Sequence, residues 1–165
     1  MRTFPVVVCL LAVCIFSGMR NANQVKEKTK MTTNSARFIK SEALPPSPGY
    51  SQAVEIRPGA RILYIAGQVA VDRSGKLVGE GDLRAQTTQT FENLKGALQA
   101  SGASFENVVK LNSYFVDISQ VATFREVRDK YINTANPPAS TAVEVKRLFR
   151  EGFLIEVEAV AVVPE

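Results

Sequence analysis

The chain has 165 residues, enough for one domain with an appendage, and carries 20 Lys+Arg against 16 Asp+Glu for a formal charge of +4. That excess belongs to the first 34 residues: from Ser35 onward 15 basic residues face 15 acidic ones, so the domain lacks the electrostatic footprint of a nucleic-acid binder. Histidine is absent and both cysteines, Cys9 and Cys14, share one N-terminal apolar run; imidazole bases, catalytic triads and zinc clusters are excluded, and so is thiol chemistry once that run is removed.

Arg2, the apolar run Val6 to Phe16 and the small pair Ser17-Gly18 have the layout of a signal peptide over residues 1–18. The run is shorter than the roughly 20 apolar residues that span a bilayer, so no stable membrane insertion is expected after cleavage. Export to the periplasm or the outside is the expectation. A retained membrane anchor, or lipid attachment at Cys14, is one alternative, although bulky Val13 stands where a lipoprotein signal has a small residue. A cytoplasmic protein starting at Met31 is the other. Residues 19–34 set four basic residues against Glu27 and show no hydrophobic periodicity, which reads as a disordered basic tether.

The domain is expected over residues 35–165. A short strand from Arg37 to Lys40 precedes the Pro45-Pro46-Ser47-Pro48-Gly49 break, and strands follow over Ser51–Ile56 and Ile62–Val71. Asp72-Arg73-Ser74-Gly75 is a turn; it resembles a fragment of a metal loop without the further acidic ligands. Asp82 can cap a helix with Leu83, Phe91, Leu94 and Leu98 on its apolar face, ended by Gly102. After a strand over Val108–Val116, Ser119 can cap a second helix carrying Val121, Phe124, Val127 and Tyr131. Strands over Thr141–Val145 and Phe153–Val163, joined by a charged loop containing Gly152, complete a β-β-β-α-β-α-β-β order. The fold class is α+β, with one mixed sheet and both helices on one of its faces. The other face is not simply polar: Val108, Lys110, Asn112, Tyr114 and Val116 share one side of their strand, which points to contact with another subunit.

The chemistry is concentrated near the C-terminus. In Ile155-Glu156-Val157-Glu158-Ala159 the two glutamates lie two apart on a β-prone segment, so both face the same way while the aliphatic residues face the other. Such a face is either solvated or lines a polar site. Together with Pro137-Pro138-Ala139-Ser140-Thr141-Ala142-Val143-Glu144-Val145, Gly49-Tyr50-Ser51-Gln52-Ala53-Val54 and Ala66-Gly67-Gln68, this segment resembles the YjgF/RidA family of reactive-intermediate deaminases. The resemblance runs from about Ser35 to the C-terminus.

The resemblance implies a chorismate-mutase-like subunit, a homotrimer built around a central barrel, and small-metabolite sites in the clefts between subunits. No cofactor and no metal are implied. Glu156 would position the hydrolytic water, where residue pattern alone reads it as a solvated or ion-paired strand residue. Glu158 reads as a structural partner on the same face. Tyr50 would line the ligand cleft, or serve as a half-buried aromatic at a strand start. The Gly67 backbone would lie beside the ligand, or permit close packing within its strand. Thr141, with nearby backbone groups, is the candidate donor to the departing amine. Registered on Val143-Glu144-Val145, Ser140 occupies the position of the arginine that grips the substrate carboxylate in deaminase-competent relatives, and Ala142 that of a cysteine. One neutral hydroxyl replaces a two-pronged charged donor. Arg147 and Arg150 follow in the next loop, as replacement charges or as solvated arginines. The expected function is binding of small metabolites with hydrolysis of enamines or imines to a carbonyl and ammonia. The alternatives are a non-catalytic ligand-binding or regulatory trimer and, against the neutral charge and missing histidines, a ribonuclease.

Overall fold

The computed structural model describes residues 35–165. The apolar run expected to be a signal peptide, both cysteines and the basic tether lie outside the described residues.

Two antiparallel strands open the domain, β1 (Ala36–Ile39) and β2 (Ala53–Ile56), paired from Ala36↔Ile56 to Ile39↔Ala53. They form a ribbon separate from the main sheet, which has four strands: β3 (Ala60–Gln68), β4 (Val108–Phe115), β5 (Ala139–Glu144) and β6 (Ile155–Pro164). Their spatial order is β3-β6-β4-β5; β6 runs antiparallel to both neighbours, and β4 and β5 are parallel. The sheet is therefore mixed, as expected, but its first two strands stand apart. Ser51 ties this ribbon to the main sheet: its N–H donates to the Pro138 carbonyl at 3.1 Å and its buried hydroxyl to the Pro137 carbonyl at 2.6 Å, just before the edge strand β5.

Helix α1 spans Leu83–Ala100, and the side chain of Asp82 accepts from the Ala85 N–H as its cap. Leu83, Thr87, Phe91, Leu94 and Leu98 recur every three or four residues, forming the stripe that the sheet covers. Gly102, at φ +74, turns the chain out of the helix in a conformation that a side chain would strain. Helix α2 is shorter, Val121–Arg128, and is preceded by a 3-10 turn over Ile118–Gln120. The expected cap at Ser119 is not made: Asp117 is the capping side chain, accepting from the Ser119 N–H at 2.9 Å. Tyr131 lies beyond the helix end, yet its ring packs 5.1 Å from Phe91 and 5.4 Å from Phe105. Burial and the bond it donates to Glu92 push its phenol up to about 12.

Helix α1 packs against β6 and β3 and helix α2 against α1, around a core that includes Leu111, Phe115, Ile155, Val157, Ala159 and Ala161, nearly all wholly buried. Burying each large side chain is worth about 1.5–3 kcal/mol. Phe115 meets Phe124 edge-on at 5.1 Å, which fastens α2 to β4. β3 ends at Gln68, earlier than its apolar run, because helix α1 takes over the carbonyls: Asn93 Nδ2 donates to Val69 at 2.9 Å and to Val71 at 2.8 Å. The following turn is held by Asp72, whose Oδ1 accepts from the Ser74 hydroxyl and the Ser74 and Lys76 N–H groups; these bonds lower its carboxyl pKa. Its carboxylate thus serves a β-turn.

Candidate functional site

Alternation along the strands divides the sheet into two faces. Val109, Leu111, Ser113 and Phe115 of β4 are buried under the helices, whereas Lys110, Asn112 and Tyr114 are half-buried on the opposite, open face. The β4–β6 register places Asn112 opposite Glu158 and Tyr114 opposite Glu156, so both glutamates belong to the open face. On β5, Thr141 pairs with Asn112 and Val143 with Tyr114, joining the same face. Tyr64, 81% exposed, pairs with Val160 and extends it across β3.

Glu156 is the least satisfied polar group there. It is half-buried and accepts no hydrogen bond from any described residue. Burial, and then the charge of Glu158, raise its carboxyl pKa above the ordinary value. Gly67 makes room for it. The β3–β6 register slips between Ile65 and Gln68, and at this irregularity the carboxylate of Glu156 occupies the space where a side chain at 67 would project. A Cβ built there would stand 2.8 Å from the Glu156 carboxyl carbon.

Glu158, by contrast, is held. Its Oε1 accepts from Asn112 Nδ2 at 2.6 Å and from the Tyr114 hydroxyl at 2.9 Å. That bond, burial and the two nearby carboxylates raise the Tyr114 pKa. Thr141 accepts from Lys110 Nζ at 2.6 Å, which leaves its own hydroxyl proton free to donate. A shallow cavity of about 390 Å³ runs along this face between Tyr64, Ala66, Lys110, Asn112, Glu158 and Val160. A larger one of about 530 Å³ opens between β1 and the 105–107 turn, and none of the six residues singled out from the sequence lines it.

One chain does not bring those six residues together. Glu156 and Gly67 touch. Thr141 shares their face but lies two strands from β6, about 10 Å away. Ser140 and Ala142 pair with Leu111 and Ser113 and so belong to the helix-bearing face. Tyr50 is half-buried beyond the β5 edge, next to the Ser51 tie. Neither loop arginine reaches the pair: Arg150 donates to the Gly75 carbonyl at 3.1 Å and stacks over Phe153, while exposed Arg147 lines a separate hollow with Phe149 and Phe153.

Three contributors were not picked out from the sequence. Asn112 and Tyr114 orient Glu158, and the polar alternation Lys110-x-Asn112-x-Tyr114 was the available signal. Gln86 carries no such signal. Buried in α1, it donates to the carbonyls of Gly79 and Gly152 and accepts from the Leu154 N–H, fixing the backbone immediately ahead of Glu156.

Known proteins share this arrangement of strands and helices. The family model described as Endoribonuclease L-PSP matches residues 40–163. A RutC family protein of Pyrococcus horikoshii is 41% identical over 113 residues, 68% of this chain and 85% of that protein. The human 2-iminobutanoate/2-iminopropanoate deaminase is 35% identical over 127 residues, 76% of this chain and 89% of its own length. Among solved structures, YyfB of the conserved Rid protein family from Yersinia pestis superposes with a TM-score of 0.70 at 36% identity, covering 78% of this chain and 99% of that one. With sequence and fold in agreement along nearly the whole described domain, the chain belongs to the YjgF/RidA family.

Proposed function

We propose that the chain hydrolyses imines or enamines to a carbonyl compound and ammonia, acting as a homotrimer whose subunits complete each other's sites. The observation that carries this reading is Glu156: a half-buried carboxylate with a raised pKa and no donor among the described residues, set against a glycine backbone on the face next to Glu158. A water bonded to Glu156 would lie on the open face, since the carboxylate itself fills the space over Gly67. As its oxygen attacks the C=N carbon, Glu156 takes its proton, giving a carbinolamine; protonation of the nitrogen then expels ammonia and leaves the C=O. The Thr141 hydroxyl is suited to supply that proton, but only to a ligand bound between copies, because within one chain it lies too far from Glu156. Ser140, on the opposite face, likewise reaches a Glu156-bound ligand only from a neighbouring copy.

Ammonia release from a panel of freshly generated imines tests the reading. Acceleration above the spontaneous rate, lost in Glu156→Gln, is the expected result. Specific binding without turnover supports the second reading, a ligand-binding trimer, which the Ser140 hydroxyl at the family's arginine position favours.

A further inference from the structure

We infer that Glu158 sets the substrate class of this site: held by Asn112 and Tyr114 beside Glu156, its carboxylate selects a cationic imine without a carboxylate over an iminocarboxylate. The inference rests on the imine-hydrolase reading and narrows it.

The charges facing Glu156 decide the matter. On β6, Glu158 lies two residues along the same face, about 7 Å away. On β4, Tyr114 is directly opposite, but its hydroxyl proton is already given to Glu158. Asn112 spends a donor on the same oxygen. On β3, the neighbour is the Gly67 backbone, and Tyr64 is the titratable side chain on that part of the open face. Among the described residues the one ammonium of the face is Lys110, opposite Val160; it lies two residues along the strand from the Asn112–Glu158 pair, about 7 Å, and four from the Tyr114–Glu156 pair, about 13 Å, and is bonded to Thr141. Two carboxylates therefore share the site, and among the described residues no cation stands opposite either of them, Lys110 being bonded to Thr141. An iminocarboxylate would bring a third negative charge among groups whose donors are committed. A protonated imine brings the compensating charge, and it is also the more electrophilic form. The step balances as R2C=NH2+ plus H2O giving R2C=O plus NH4+, with the water proton passing through Glu156 and no redox partner.

Glu158 is here a specificity-determining residue, and two measurements on the full chain test it. The first compares two imines made in place: one released from benzylamine by a flavin amine oxidase, the other from alanine by an amino-acid oxidase. Each is scored as decay above its spontaneous rate. The benzylamine imine is expected to gain about tenfold or more over the alanine imine, the size of one unfavourable charge contact near a protein surface. Glu158→Gln is expected to shrink that ratio at least threefold. The second measurement needs no turnover: calorimetric binding of benzamidine, a planar amidinium, against benzoate of the same size and opposite charge. Benzamidine should bind at least tenfold tighter to the natural chain. Equal or tighter binding of benzoate overturns the inference, as does a rate ratio unchanged in Glu158→Gln or an alanine imine hydrolysed equally well. If neither imine decays faster with the protein present, the hydrolase reading falls and this inference falls with it. If both are accelerated alike, the hydrolase reading stands and only the charge selection is lost.

Discussion

Gly67 and Glu156 meet in the space that a side chain at position 67 would fill: a Cβ there would lie 2.8 Å from the glutamate's Cδ and 3.0 Å from its Cγ. Because the atoms met belong to the end of a flexible side chain, Gly67→Ala should be absorbed by rotating the carboxylate away. The expected pattern is a melting temperature close to the natural one, a stability change within about 1 kcal/mol, and loss of most imine hydrolysis. A melting curve and a rate assay on the same preparation check it. A variant that keeps its rate would show that the carboxylate does not act from the position seen against Gly67.

The pH dependence of stability follows from the raised Glu156 pKa. A carboxyl that is a weaker acid when folded favours the folded state in its protonated form. That contribution is fully present below the ordinary carboxylate value and disappears as pH rises through the raised value. Glu156→Gln, which stays uncharged, should therefore be more stable than the natural chain at neutral pH, with the advantage vanishing below about pH 4. Melting temperatures of both proteins across that interval decide it. The same stability gain at every pH would point to packing instead of ionisation.

Much of this was written in the sequence because burial leaves a periodic trace. The helix from Asp82 to Gly102 and the Val108–Phe115 strand follow their apolar spacing almost to the residue, and the pairing of Glu156 with Glu158 on one face follows from strand alternation alone. The parts not legible are contacts between distant segments. The stop of β3 at Gln68 depends on Asn93 taking two carbonyls from a helix 25 residues later. The tie between the β1–β2 ribbon and the β5 edge depends on Ser51 reaching Pro137 and Pro138. Register, finally, decided which candidates meet: Ser140 and Thr141 are neighbours in sequence, yet pairing with Leu111 and Asn112 sends them to opposite faces.

Gln86 carries the best case for a remote residue that supports the site. Its amide is wholly buried and satisfied at both ends, by the Gly79 and Gly152 carbonyls and by the Leu154 N–H. Gln86→Leu keeps the volume and orphans the Gly152 carbonyl and the Leu154 N–H, while the Gly79 carbonyl keeps the bond from the Asp82 N–H at 3.0 Å. We expect a loss of about 2–4 kcal/mol, since each buried unsatisfied group costs about 1–3 kcal/mol with partial relaxation. Denaturant unfolding gives the number. A loss under about 0.5 kcal/mol would mean that the 152–154 backbone finds other partners.

The open face should be where copies of the chain meet. Tyr64 is 81% exposed and Ile62 45%, an apolar pair beside half-buried Val160, and Val143, 40% exposed, adds to the same face on β5; a solvated sheet does not need them. Tyr64→Asp puts a charge at its centre and should convert a trimer into monomer without unfolding the subunit, because the side chain touches little within its own chain. Native mass spectrometry gives the assembly and circular dichroism the fold. A natural chain that is monomeric at micromolar concentration would sink the trimer, and so would a Tyr64→Asp variant that stays fully trimeric.

Ser140 provides a test that joins the chemistry to the assembly. Restoring a guanidinium with Ser140→Arg supplies two parallel charge-assisted bonds to a substrate carboxylate, and charged hydrogen bonds are worth about 1.5–3 kcal/mol, so hydrolysis of an iminocarboxylate should rise by roughly tenfold to a hundredfold. Register makes the origin of that gain specific. Position 140 pairs with Leu111 on the helix-bearing face, whereas Glu156 pairs with Tyr114 on the open face, so within one chain the new arginine and the water-holding acid stand on opposite sides of the sheet. They can serve one ligand only across a boundary between copies. Adding Tyr64→Asp to Ser140→Arg should thus abolish the gain together with the trimer, and adding Glu156→Gln should abolish it with the trimer intact. A gain that survives in a monomer would place both residues at one site within a single chain, against the register seen here. No gain in an intact trimer would show that the pocket between copies has diverged beyond this one position, and the ligand-binding reading would then replace the hydrolase.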